Sequence, residues 1–596
     1  MSYAPTETWN LDAILPGGPA GSAFDEEFAL IKSALTALVE RSESLPAVPH
    51  PAILAGVLLD LERLSPRLDQ LYTFTGCHAA ADAVGDAPIR AEGRIGSLGA
   101  LSSRAWVAPR DRIARMPQEN FDALLAEPAL AHMRNLLLHD RATGRLRMSE
   151  AEESLSAALA EHGIMGWGSL YDVESGALRV QLDRGNGVET LSAGQAEQAM
   201  WGADRGVRRA AFDAVRESWG SISRRCATTL SHITGTRVAL NARRGIDELE
   251  EPLVQSRIER STLDAILEAS REMRPLMVRY FRAKAKLLGV EQLAWYDLSA
   301  PVGESGSGSS YAAAQDVVVR QFGEFAPGMA SFAERALRER WIEVEDRPGK
   351  RAGGFCAEVP MRQESRIFMT WSDNDRAAGT LAHELGHAFH NEVLFTRPVS
   401  QRRLPMTLAE TASTFAEALV REASRAGAHT PAQRLRLLDN ALSDASAFLC
   451  NIPARFELER SLYRMRAEGP LEVDALCAET TKLYNEWYGN ELSCVDDLFW
   501  ARKLHFFIPS IAFYNYPYTF GFLFANLVYE HYRPQGAAAE AGYRRLLSRT
   551  GDDPAELIAQ EELGLDLGDV ATWRKAMTGI VRDLRDFENE VAATSS

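Results

Sequence analysis

One short stretch constrains this chain more than any other. Gly379–Asn391 reads GTLAHELGHAFHN and contains His383-Glu384-Leu385-Gly386-His387. Two histidines four positions apart share one face of an α-helix, about 6 Å apart along its axis, so both imidazoles can reach one metal ion. Glu384 lies beside that face, where it can reach a metal-bound water as a general base. A helix here has independent support: Ser372 and Asp373 are candidate N-caps, Ala and Leu follow, and Pro398 lies past the far end. The small and apolar flanks suit a buried zinc site better than a core helix with two satisfied histidines.

A zinc site that keeps a position open for water and substrate needs a third protein ligand. A metzincin would place a histidine six residues after the second one, but that position is Val393, which excludes the class. Leu408–Glu417 (LAETASTFAE) offers Glu410, 23 residues after His387. Pro398 and Pro405 mark a turn that lets a second helix return beside the first. A solvated helix carboxylate is the commoner fate of such a glutamate; the small, otherwise uncharged surroundings favour a ligand. Glu417, two turns on, suits support of a ligand histidine. His390, one turn after His387, either orients the site or packs.

The remaining composition sets bounds. A chain of 596 residues is longer than one core usually organises, so two to four packed units are expected. At 46% hydrophobic and 25% charged residues, disorder and low-complexity designs are excluded. The formal charge of −17, with Lys and Arg interleaved among acids, argues against nucleic acid as a partner. Six scattered cysteines without a CxxC read as reduced packing thiols. The N-terminus lacks a basic start and a sustained apolar run, and Pro51–Leu59 and Thr519–Tyr529 are far too short to span a membrane. A cytoplasmic protein with no membrane partner is expected; nothing specifies an oligomeric state.

Helical periodicity marks Phe24–Leu38, Ala151–Glu161, Ser261–Leu288 and Ala432–Leu449. Strands are expected in a hairpin over Gly168–Leu182, turning at Glu174-Ser175-Gly176, and in another over Ala352–Trp371. Ser305–Ser310 (SGSGSS) reads as a flexible loop, since no Lys-Ser or Lys-Thr follows to make a phosphate cradle. Pro109 reads as a helix boundary. Three regions follow: 1–109, helical; 110–195, containing the first hairpin; and 196–596, the catalytic region.

HELGHAFH followed by AETASTFAE resembles the oligoendopeptidase F branch of the thimet oligopeptidase-like zinc metallopeptidases. Trp295-Tyr296-Asp297-Leu298, Gly353-Gly354-Phe355, Trp500–Phe506 and, more weakly, Trp9-Asn10-Leu11-Asp12 extend the resemblance over most of the chain. It implies a mainly α, two-lobed metallopeptidase with a deep substrate channel, a small β-sheet next to the zinc helix, and an oligopeptidase F N-terminal-type domain over 110–195. It also bears on Phe513–Gly521 (FYNYPYTFG). By themselves, three alternating tyrosines around Pro517 suggest an extended loop, and aromatic packing is their plainest role. The resemblance instead implies that His505, Tyr514 and Tyr518, with Tyr516 nearby, stabilise an oxyanion over the zinc. Gly353, Gly354, Phe355, Arg366 and Tyr516 are the candidates for substrate binding; the run Ser365–Thr370 reads as an edge strand to which a peptide adds.

The expected protein is therefore a zinc endopeptidase of the gluzincin type. One Zn²⁺ per chain is held by His383, His387 and Glu410, with Glu384 as the base and oligopeptides as substrates. A zinc exopeptidase and a catalytically silent peptide-binding protein are the alternatives.

Overall fold

In a computed structural model the chain is mainly α-helical, as the resemblance implies. The structure describes residues 7–594 except 186, 304–309, 352 and 375. All but one residue of the SGSGSS loop lies outside these. Five strands are present among them: β1 (Arg179–Asp183), β2 (Val188–Ser192), β3 (Ile342–Glu343), β4 (Phe355–Val359) and β5 (Glu364–Phe368). The chain divides into two compact units, each assembled from three stretches.

The first unit comprises Met1–Arg145, Gly306–Ser424 and Phe524–Leu565. Its core joins three long helices, Ser22–Glu43, Pro51–Ala81 and Asp86–Arg115, through residues such as Phe24, Leu58 and Ile95, and reaches Val359 and Phe368 of the sheet. The helix boundary expected at Pro109 does not occur: the helix runs on to Arg115 with Pro109 inside. Trp106, Pro109 and Ile113 are all buried along this stretch. That burial offsets the roughly 3 kcal/mol a helix-interior proline costs.

The hairpin expected over 352–371 forms from β4 and β5, antiparallel with Ala357 opposite Arg366. β5 also pairs in parallel with β3, so the sheet order is β3-β5-β4. The Ser365–Thr370 run is thus the central strand and not an edge. The edges are β3 and β4, and the N-terminal segment lies along β3, where Val344 N–H donates to Glu7 O. Ile367 N–H donates to Trp341 O, so the odd-numbered residues of β5 face β3 and the even-numbered ones face β4. Register then turns the backbone groups of Cys356 and Glu358 outward, and Glu358 O indeed accepts from Thr73 Oγ1 at 2.5 Å.

The second unit comprises Leu146–Ser305, Arg425–Leu523 and Asp566–Ser596. Its 40-residue helix Arg205–Arg244 starts on Asp204, whose carboxylate accepts from Gly206 and Val207 N–H, and ends at Gly245 with φ 72°. Asp297, fully buried, takes both Arg205 and Arg208 at 2.9 Å, which gives the Trp-Tyr-Asp-Leu motif an anchoring role. The hairpin expected over 168–182 is displaced. Ile164–Ala177 is a helix, and β1 and β2 form the hairpin after it, around Gly185 and Gly187 at positive φ. Ile164, Trp167 and Tyr171 follow helical spacing, and the Tyr171 ring stacks on Phe507 with centroids 3.8 Å apart. Among the described residues no helix is long and apolar enough to cross a membrane, and none of the six cysteines is paired.

Candidate metal centre and the tyrosine cluster

The HExxH segment lies within the helix Ala377–Leu394 of the first unit, which packs on β4 and β5. Its start differs from expectation. Arg376 is the N-cap, while Asp373 accepts from Trp371 Nε1 and Ser372 Oγ from Asn374 Nδ2 within the preceding loop. Glu410 occupies the joint between the helical turn Met406–Ala409 and the helix Thr411–Ala426. Ser413 Oγ, one turn on, donates to Glu410 Oε2 at 2.7 Å and fixes the carboxylate.

Why these two helices meet is explained by Gly386. A Cβ there would lie 2.6 Å from Ala412 O and 2.7 Å from Ser413 Cα, so only glycine lets the backbones approach this closely. The consequence is a compact donor set. His383 Nε2 and His387 Nε2 each lie 3.3 Å from Glu410 Oε2, and the three ligand atoms fall within 4.8 Å of one another. Tetrahedral zinc with bonds of about 2.0–2.1 Å spaces its ligand atoms about 3.3 Å apart, so the donor set fits that ion. Glu417 Oε2 lies 3.3 Å from His383 Nδ1, which lets Nδ1–H donate and leaves the Nε2 lone pair for a metal.

The electrostatics follow from this packing. Burial alone would keep His383 neutral, but the hydrogen bonds to Glu410 and Glu417 raise it to about 10. Burial likewise resists charge on Glu410, yet the two imidazoles hold it far below the usual carboxylate range. Such reciprocal stabilisation marks a site suited to a cation. Glu384 is buried, its Oε2 has no partner among the described residues, and burial raises its pKa against the pull of the histidines. His390 instead packs: its Nε2 pairs with Thr550 Oγ1 at 2.7 Å, and burial pushes it down to about 3.

The other candidates divide. Gly354 borders the base, for a Cβ there would lie 3.4 Å from Glu384 Oε1, and Gly353 adopts φ 102°. Phe355 stacks on Phe368 at 5.1 Å. Arg366 is buried, with its guanidinium on Glu364, Ser365 O and Asn10 O, and so has no face left for a peptide.

In the second unit His505, Tyr514 and Tyr518 form one cluster. The His505 ring lies 4.7 Å from Tyr514 and 5.8 Å from Tyr518, and the two phenols are 5.6 Å apart, centroid to centroid. The segment is not the extended loop expected: a helix starts at Tyr516 and runs to Tyr532. Pro517 is its second residue, where a missing N–H costs nothing. Tyr516 turns away from the other two, its buried hydroxyl bonding Pro252 O and Ser256 Oγ at 3.0 and 2.8 Å.

Sequence reasoning missed the supports of this cluster. Asn515 Oδ1 accepts from His505 Nδ1 at 2.8 Å, which leaves Nε2 as the acceptor nitrogen. Phe513 holds a left-handed φ of 53° and donates its N–H to the buried Glu459 at 2.7 Å. Burial, joined by the charges of Lys503 and Arg455, pushes His505 down to about 4 against the opposing bond to Asn515.

The family that carries this sequence is a peptidase family. Residues 200–578 match the profile of Peptidase family M3, and the chain belongs to that family. Residues 112–179 match Oligopeptidase F, which gives the branch. Oligopeptidase PepF of Bacillus subtilis is 24% identical over 578 residues, 94% of this chain and 84% of that one. Group B oligopeptidase PepB of Streptococcus agalactiae is 25% identical over 578 residues, covering 93% and 91%. The crystal structure of oligoendopeptidase-F from Enterococcus faecium shares the fold with a TM-score of 0.71 at 20% identity, over 96% of this chain and 99% of that one.

Proposed function

We propose that the protein is a zinc-dependent endopeptidase that hydrolyses internal bonds of oligopeptides. The carrying observation is the donor set of His383 Nε2 and His387 Nε2, each 3.3 Å from Glu410 Oε2, with Glu384 beside it, whose Oε2 is unpartnered among the described residues. His383, His387 and Glu410 would hold the ion, and Glu417 fixes the His383 tautomer. Zinc, when bound, polarises a carbonyl and acidifies water. Glu384 takes the proton from the attacking water on its carboxylate and delivers it to the leaving amine. Its burial raises its proton affinity, which suits both halves of that transfer. Tyr514 and Tyr518 donate hydrogen bonds from their hydroxyls to the developing oxyanion, and neutral His505 orders the two rings.

The outward backbone of Cys356, two residues from Gly354 and hence close to Glu384, offers an N–H and a C=O for antiparallel addition of an extended peptide. Main-chain pairing reads little side-chain sequence, so broad specificity follows. An oligopeptide carrying a fluorophore and an internal quencher, with both termini blocked, tests the reading. An endopeptidase cuts it at an internal bond. An exopeptidase, or a protein that only binds peptides, leaves it whole.

A further inference from the structure

Two cations beside the His505 cluster lack an acid of their own. Lys503 precedes the turn that carries His505 and is half-buried. Among the described residues its ammonium has no hydrogen bond and no ion pair. Arg455, within the helix Ile452–Glu468, is the second. One of its N–H groups reaches only to 3.5 Å from Asn515 Oδ1, and the guanidinium lies 5.2 Å over the Phe499 ring. The Tyr484 hydroxyl, a neutral group, also lies against the guanidinium, and the buried Nε has no acceptor among the described residues.

Glu197, the acid whose charge reaches Lys503, and Asp496 are committed to Arg502. Glu197 lies 2.8 Å from Arg502, and Asp496 2.5 Å from the same guanidinium. Both cations border His505: Lys503 lies two positions before it in the chain, and Arg455 reaches it through Asn515, whose Oδ1 lies 2.8 Å from His505 Nδ1 and 3.5 Å from Arg455 Nη1. Two cations in such a partly desolvated place cost free energy unless an anion completes them. Burial, and then the charge of Arg455, pushes Lys503 down to about 8. The Tyr518 hydroxyl is close enough to Arg455 to affect it in turn, so the pair borders the proposed oxyanion donors.

We propose that Lys503 and Arg455 form a subsite for a carboxylate of the peptide substrate, from its C-terminus or from an acidic side chain. This rests on the peptidase reading and deepens it: the enzyme selects anionic peptides through a charge-assisted hydrogen bond that main-chain pairing cannot provide. A lysine is suited to the task as a point charge on a flexible stem, able to follow carboxylates of different origin.

The test uses matched quenched peptides in two pairs, one differing in C-terminal acid against amide, the other in Glu against Gln at one position. kcat/KM is measured for wild type, Lys503→Met and Lys503→Arg. Wild type is expected to prefer the carboxylate member of one pair by about tenfold, the effect of one charge-assisted bond, and the responding pair identifies the source. Lys503→Met should bring that ratio close to one, while Lys503→Arg retains most of it. Equal ratios in wild type and Lys503→Met overturn the subsite. Should wild type cut none of the peptides, the peptidase reading fails separately. Calorimetric binding of the same peptides then decides the subsite, equal affinity for acid and amide overturning it.

Discussion

The candidate metal centre and the tyrosine cluster are built by opposite means. The first is assembled from two helices in backbone contact, and its charged groups satisfy one another: two imidazoles, Glu410, and Glu417 behind His383. The second hangs on a turn and the first residues of a helix, held by a strained Phe513, a buried Glu459 and one Asn515 bond. Its donors are phenol hydroxyls, an imidazole and an amide, and among the described residues no acid pairs with Lys503 or Arg455 beside it. A site that holds an ion needs rigid, complementary charge, whereas one that meets charge only as it develops keeps neutral donors ready. The contrast predicts different failures on mutation.

The largest expected effect is at Glu384. Glu384→Gln keeps the shape and the metal ligands but removes the base, so turnover should fall by orders of magnitude with zinc retained. Near wild-type cleavage of a blocked peptide would take Glu384 out of the mechanism. Next come Tyr514→Phe and Tyr518→Phe, which delete a hydroxyl and little volume. Each should lower kcat by about 10²–10³-fold with KM little changed. Unchanged kcat in both would reduce the cluster to aromatic packing.

Smaller effects probe the frameworks. Gly386→Ala forces a methyl against Ala412 O and Ser413 Cα. Overpacking of this kind costs about 1–3 kcal/mol. The variant should melt lower and release zinc faster, both measurable by scanning calorimetry with a zinc indicator; unaltered release would show that the helices yield without moving the ligands. In the other unit, burial raises Glu459 to about 7, against the pull of Arg237 and the Phe513 N–H. A folded-state pKa above the unfolded one means stability that is fully present below about 4.5 and lost as pH climbs through 7. Glu459→Gln, which still accepts from Phe513, should flatten that loss and melt about 2–4 °C above wild type at pH 8 relative to pH 5. Parallel pH profiles would place the pH sensitivity elsewhere.

Legibility in the sequence differed in the same way. The meeting of His383, His387 and Glu410 is legible because its signals are local: a four-residue spacing, and a glutamate in a run of small residues. The long helices were readable from their apolar period. Pro109 and Pro517 misled because each was taken as a breaker, although a buried face carries one helix past its proline and a helix start tolerates the other. β5 could not be placed as a central strand, since its partner β3 is two residues long and lies upstream of the hairpin. Glu459 sits 54 positions from the Phe513 N–H it receives, so no window links them. Gly386 did leave a trace, a glycine inside an otherwise helical pattern, which points to a close backbone approach.

The assignment of the ion to His383, His387 and Glu410 is tested most directly by zinc stoichiometry after dialysis, measured on wild type and Glu410→Ala. Two histidines alone hold zinc weakly. One zinc per chain in wild type and almost none in Glu410→Ala is the expected result. Full occupancy in Glu410→Ala would contradict the account and place the third ligand elsewhere.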